Sequence, residues 1–300
     1  MSVARTPRFP RFLYAFAFFA LAALAPASHA AQEQEFRIGD VDAVVWTPDS
    51  RVGAPLPIVV FSHGLYTCAT QSRFLTEALA NAGYLVIAPN HRDASCGFSF
   101  RWPGMSRLPG KPPALWSDED FRDRADDIRG LVRALTDDAR FRGIADVARI
   151  ALAGHSLGGY TVLGLAGAWP KWTLPGVKAV LALAPYALPF EHSAGLKHLQ
   201  APVMYQTGEF DPIFTRPLRG AFEQFPEPKY YVEIENAWHL TWADIGMLHP
   251  PTIVAYAVAF FDRYLKDAVD TSLLDGGRVR AASAKQTEQR GPDWAAAPRL

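Results

Sequence analysis

Cysteine is scarce in this sequence: Cys68 and Cys96 are the only two in 300 residues, which leaves room for one disulfide at most. A charge imbalance is missing as well. Thirty basic residues face thirty acidic ones, so nothing advertises nucleic acid or an anionic membrane surface as a partner. Internal repeats are absent. The longest apolar stretch near the start, Phe12 to Leu24, runs for about 13 residues, short of the ~20 needed to cross a bilayer. His91, His192 and His198 have no metal-ligand spacing and are assigned no chemistry. Neither a metal nor a cofactor is expected.

What is present is apolar substance. Half of the chain is hydrophobic (49%) and 12% is aromatic, enough for one large core. Residues 1–30 hold Arg5, Arg8 and Arg11, no acid, the apolar stretch, Pro26 and the small-residue ending Ser28-His29-Ala30. They read as an export signal cleaved after Ala30. Without them the balance becomes 27 basic against 30 acidic residues, a net of −3. The residue directly after the cleavage point is not a cysteine, so a lipid-anchored form is not expected, and export ends in the periplasm or outside the cell. An oxidising destination favours a Cys68–Cys96 disulfide over two free thiols, both cysteines lying shortly after predicted strands. The domain plan is a signal peptide at 1–30, a single domain over 31–274 and a polar, irregular tail over 275–300.

The stretch that organises the rest is Arg149 to Leu165, where Gly154-His155-Ser156-Leu157-Gly158 stands between an apolar run and a small-residue helical run. Glycine and serine each make up about 7% of residues, so the bare G-x-S-x-G pattern recurs by chance in roughly one chain of this length in ten. Its setting between a strand and a helix is what gives it weight. A sharp strand-to-helix turn of this kind lifts the serine hydroxyl clear of the sheet and brings a helix N-terminus to the same place. Ser156 is therefore the candidate nucleophile.

The remaining segments alternate. Phe36 to Gly39 and Asp42 to Trp46 read as a hairpin at a sheet edge. Pro57–Phe61 and Tyr84–Ala88 are continuously apolar, as strands buried on both faces should be, with a helix over Phe74, Leu75, Ala78, Leu79 and Ala82 between them and Gly83 ending it. Residues 91–117 show no period, contain four prolines and carry Phe98, Phe100, Trp102, Met105 and Trp116; such an insertion is either a lid over a site or an ornament whose aromatics pack on each other. Ser117 and Asp120 form a capping arrangement before a helix with Phe121, Ala125, Ile128, Leu131, Val132 and Leu135 on its apolar face. Val177–Ala184, Pro202–Thr207 and Tyr230–Ile234 are strand candidates, and a last helix runs from about Thr252 to Lys266. The pattern predicts an α/β fold with a mostly parallel central sheet of about eight strands, flanked by helices, and an antiparallel hairpin at one edge.

A serine hydroxyl at neutral pH needs a histidine base and an acid to orient it. On a sheet of this type the acid follows a later strand and the histidine comes after the acid. His239, just past the strand ending at Ile234, is favoured over His249, which precedes the last helix. Asp211 is favoured over Glu209, since Gly208 allows a tight turn that aims a carboxylate three residues on across the strand ends. The oxyanion donors are expected to be the backbone N–H groups of Leu157 and of Leu65, in the loop Ser62-His63-Gly64-Leu65-Tyr66. His63 and His155 are read as packing residues that fix the two turns.

Ser62-His63-Gly64, Gly154 to Gly159, Gly208 to Asp211 and Trp238-His239 resemble the serine α/β-hydrolases over about residues 36–270. Within that superfamily the segments look most like dienelactone-hydrolase-like proteins, the platelet-activating-factor acetylhydrolase group and the cutinase-like polyester hydrolases. Dienelactone hydrolase proper has a cysteine where Ser156 stands, so its substrate does not carry over. The cutinase-like group has an aromatic residue after the strand that follows the nucleophile helix, a place Tyr186 would match, but it has no insertion resembling residues 91–117. The resemblance implies a serine esterase without a cofactor, with Ser156, Asp211 and His239 catalytic and Tyr66, Tyr186 and Trp238 contacting substrate. Together with Trp242 and the aromatic insertion, these residues predict an apolar acyl or aryl group in a small-molecule or polymeric ester. A peptidase or amidase on the same three residues is the first rival, and a non-catalytic binding protein of this fold the second.

Overall fold

The continuously apolar runs become the inner strands of one sheet. The computed structural model describes residues 31–49, 55–96, 108–190, 194–211, 220–246, 251–268, 271–275 and 278–281. Residues 1–30, expected to be an export signal, residues 97–107 of the insertion, His192, His249 and the tail beyond Ala281 lie outside the described residues. The strands are β1 (Gln32–Ile38), β2 (Val41–Thr47), β3 (Leu56–Ser62), β4 (Leu85–Pro89), β5 (Ala145–His155), β6 (Val177–Leu183), β7 (Val203–Gly208), β8 (Lys229–Ile234) and β9 (Arg278–Ala281). Helices α1 (Arg73–Asn81), α2 (Arg122–Asp137), α3 (Leu157–Leu163) and α4 (Pro251–Leu265) connect or flank them.

The strand order is β1-β2-β4-β3-β5-β6-β7-β8-β9. The β1–β2 hairpin pairs within itself and with β4 antiparallel, and every other pairing is parallel. Alternation along the inner strands splits the core in two. Ile58 and Val60 join α2 residues Ile128 and Leu131 on one face, while Val59 and Phe61 join Leu75 of α1 and Phe260 and Phe261 of α4 on the other. Each fully buried side chain of this kind contributes roughly 1.5–3 kcal/mol, which is why the central strands tolerate no polar face.

The topology fixes where a site can form. From β3 the chain moves outward to β4, then returns past β3 to β5 on its other side. The chain leaves β3 toward one face of the sheet, through α1, and β5 toward the other, through α3, so their carboxyl ends form the topological switch point at which open α/β sheets place their ligands. Ser62 at the end of β3 pairs with Gly154 near the end of β5, so both glycine-containing turns emerge side by side.

The mostly parallel sheet of about eight strands with an antiparallel edge hairpin is what forms, with nine strands in all. Two details differ: Arg278–Ala281 pairs in parallel with β8 inside the stretch expected to be irregular, and the helix after Ser117 starts later than its capping residues suggest. Four residues at an edge carry too little periodicity to be recognised. The Ser117–Asp120 arrangement forms, with the Ser117 amide donating to Asp120 Oδ2 at 2.6 Å, but it closes a turn ahead of α2. Phe121, at φ 61°, breaks the chain between that turn and the helix start at Arg122.

Candidate active site

Ser156 stands between β5 and α3 with φ 56° and ψ −116°, a conformation that a residue with a side chain adopts only at a cost. The neighbouring glycines are required by close approach. A Cβ on Gly154 would meet Gly158 O at 2.4 Å, and one on Gly158 would meet Ser62 O at 1.9 Å. The turn is thus wedged between its own helix and the end of β3, and it cannot relax without moving one of them.

The structure brings Ser156, His239 and Asp211 into one line. Ser156 Oγ lies 3.0 Å from His239 Nε2, and His239 Nδ1 lies 2.8 Å from Asp211 Oδ2. Asp211 is buried, whereas the imidazole is partly open to solvent. With the Nδ1–H of His239 donating to the carboxylate, Nε2 is left to accept from the serine hydroxyl, the tautomer that a base needs. β7 and β8 deliver the acid and the histidine: the Asp211 amide donates to Gly208 O, and the Phe210 amide to Ala237 O, lacing the two loops together. Glu209 turns away, accepting from the Asn236 amide at 3.0 Å.

The loop after β3 packs against the nucleophile turn. A Cβ on Gly64 would lie 3.6 Å from Ser156 Cβ. Its two peptide groups are pinned by buried side chains. Gly64 N–H donates to Gln71 Oε1 at 2.5 Å, while Gly64 O accepts from His63 Nδ1–H at 2.7 Å and from an Arg124 N–H at 3.2 Å. Arg124 also donates to His63 O at 2.7 Å and forms a bidentate pair with Asp93. Because C=O and N–H point opposite ways in a planar trans peptide, holding Gly64 O toward Arg124 turns the Leu65 N–H to the other side. Cys68 and Cys96 are bonded, with Cα atoms 5.3 Å apart, which ties this loop to the one after β4.

Behind the site lies a second polar chain. Ser62 Oγ is 2.9 Å from His91 Nε2, and His91 Nδ1 is 2.9 Å from Asp127 Oδ2. Ser62 is wholly buried, so this arrangement locks β3, β4 and α2 together instead of meeting a substrate. Burial holds His63 and His91 well below the ordinary imidazole range and pushes the Asp127 carboxyl up to about 6. Burial also lowers His155 to about 3.

Of the aromatics expected at substrate, Tyr186 is tied to the nucleophile turn through the backbone and Trp238 adjoins the histidine in the chain. The Tyr186 amide donates to Ser156 O at 2.8 Å, and its ring packs on Trp116 at 5.2 Å; Trp238 precedes His239 and is 44% exposed. Tyr66 has φ 55°. Trp242 is corrected: it is fully buried, and its indole N–H donates to Gln206 Oε1 at 3.2 Å, so it belongs to the core and not to a substrate surface. Sequence reasoning missed Gln71, Arg124, Asp93 and Asp127. A buried arginine three residues ahead of an aspartate on α2 is a faint signal, and Gln71 in a polar loop carries none.

A family model described as the alpha/beta hydrolase family matches residues 59–300. Platelet-activating factor acetylhydrolase of Canis lupus familiaris is 27% identical over 49% of this chain and 42% of its own length. The Bos taurus protein of that name is 25% identical over 39% of this chain and 33% of its own. That of Cavia porcellus is 23% identical with the same two shares. The chain thus spans between a third and about two fifths of the length of the curated relatives it matches.

Proposed function

The chain belongs to the alpha/beta hydrolase family, and on that footing we propose that it is an exported serine hydrolase cleaving carboxylic esters through an acyl-enzyme. The observation that carries this reading is the line from Asp211 through His239 to the strained Ser156 at the start of α3. His239 Nε2 takes the Ser156 proton as Oγ bonds to the acyl carbon. The oxyanion is received by the Leu157 and Leu65 amides, each such donor being worth roughly 3–4 kcal/mol in the transition state. The proton passes from His239 to the leaving alkoxide, which departs as the alcohol. Water, deprotonated by the same histidine, then releases the acid and restores Ser156.

The engagement of Gly64 N–H by Gln71 supports Leu65 as the donor on that side. The Trp116–Tyr186 ring pair and the exposed Trp238 next to His239 in the chain support an apolar acyl or aryl substrate. The relatives named as acetylhydrolases support acyl transfer from an ester over cleavage of a peptide. The disulfide supports export to an oxidising compartment.

Initial rates on a p-nitrophenyl ester series and on matching anilides test the reaction class. Replacing Ser156 with alanine is expected to lower kcat by about 10⁶ on the preferred ester. Anilide turnover at rates near those of the esters would move the assignment to an amidase, and a Ser156→Ala variant that keeps most of its activity would remove the nucleophile.

A further inference from the structure

Gln71 lies outside the acid–base chain, yet its amide bridges the loop packed on Ser156 and the histidine that contacts the His239 backbone. It is 8% exposed and sits in the turn that leads into α1. Its Oε1 accepts from Gly64 N–H at 2.5 Å and from the Thr67 hydroxyl at 2.6 Å. Its Nε2 donates to His155 Nδ1 at 2.8 Å and to Ser72 Oγ at 3.1 Å. On its far side, His155 Nε2 lies 2.8 Å from the backbone carbonyl of His239.

We propose that Gln71 is a positioning residue for the ester hydrolysis inferred above, coupling the oxyanion loop to the backbone of the general base through His155. The claim rests on that functional reading and adds a residue to it. Two acceptor contacts and two donor contacts leave the amide one orientation, because a flipped amide would set its NH2 against Gly64 N–H. That orientation in turn dictates the His155 tautomer. Nδ1 must accept, so Nε2 carries the hydrogen and donates to His239 O. A second proton on Nδ1 would face the Gln71 amide hydrogens, so His155 serves only as a neutral bridge. The titratable group facing it is His239, with ring centroids 4.9 Å apart; a charge on His155 would oppose the imidazolium that His239 becomes when it takes the serine proton.

The arrangement therefore does two things at once. It occupies Gly64 N–H, leaving the next amide along as the donor available to an oxyanion, and it holds the His239 backbone against the residue that precedes the nucleophile. A glutamine that merely filled space would be replaceable by an apolar residue of the same volume without effect on turnover.

The test uses the full chain with Gln71→Glu and Gln71→Met, each checked for folding by circular dichroism and a thermal melt. Glutamate keeps both acceptor contacts and removes the donor, so His155 gains a second proton to satisfy the carboxylate. Two-dimensional 1H–15N spectra of the imidazoles are expected to show His155 neutral with hydrogen on Nε2 from pH 5 to 9 in the wild type, and doubly protonated at pH 7 in Gln71→Glu. Both variants are expected to lose roughly 10- to 100-fold in kcat, the scale of a displaced catalytic group, with KM within threefold of wild type. Gln71→Met decides the question by kcat alone if the carboxylate variant does not fold. A folded variant with wild-type kcat, or a Gln71→Glu spectrum in which His155 is unchanged, would overturn the proposal. If the wild type hydrolyses no ester, the functional reading falls, while the spectra still decide the link between Gln71 and His155.

Discussion

His63, His91 and His155 are buried, which disfavours their charged forms, and that has a consequence in acid. His155 is held to about 3 against an ordinary value of 6.5, and His63 and His91 lie well below that value too. Below pH 6.5 the unfolded chain binds protons that the folded protein refuses, so stability falls as pH drops toward 3. His155 alone costs on the order of 2 kcal/mol between pH 7.5 and 5. Asp127 works the other way: with its carboxyl pushed up to about 6, the fold takes its proton first and gains stability as pH falls through that value. Its gain subtracts from the summed loss of the three histidines without cancelling it, one carboxyl standing against three imidazoles. Urea unfolding is expected to show a lower midpoint at pH 5 than at pH 7.5; an equal or higher one would contradict these assignments. The same residues mark what the sequence conceals. That Ser156, Asp211 and His239 would meet could be read in advance, because the chemistry proposed for them dictates an order along the chain and a position at strand ends. Gln71 and Arg124 act by contacts between distant segments, and no local pattern announces them.

At the scale of elements, the inner strands and the helices α1, α2 and α4 were legible, since burial on one or two faces writes its period into the sequence. The start of α2 was not, because Phe121 adopts φ 61° and ends a turn that reads as the helix cap. Nor was β9, whose pairing with β8 is a tertiary fact. Three elements converge on the loop after β3: α2 through Arg124, the start of α1 through Gln71, and the loop after β4 through Asp93 and the disulfide. The cysteines are 28 positions apart, and closing a loop of that length adds about 3–4 kcal/mol in the chain-entropy model. A Cys68→Ser, Cys96→Ser double variant is expected to lose that much unfolding free energy in guanidinium titrations. A loss under about 1 kcal/mol would mean that the surrounding hydrogen bonds hold the loop unaided.

Across the whole molecule, apolar exposure is uneven. Of the six large hydrophobic side chains exposed among the described residues, Leu108, Leu115, Phe210, Trp238 and Ile245 lie on loops leaving the carboxyl ends of strands, and only Val147 lies elsewhere. That is the edge at which Ser156 emerges. The family and the sheet account for where a site forms, and the side chains at that edge for what it is proposed to do. Incubating the wild-type protein with a fluorophosphonate probe and sequencing the modified peptide by mass spectrometry tests the central claim most directly. A single phosphonylated residue, Ser156, is the predicted result. An unmodified protein, or label on another residue with Ser156 untouched, would contradict it.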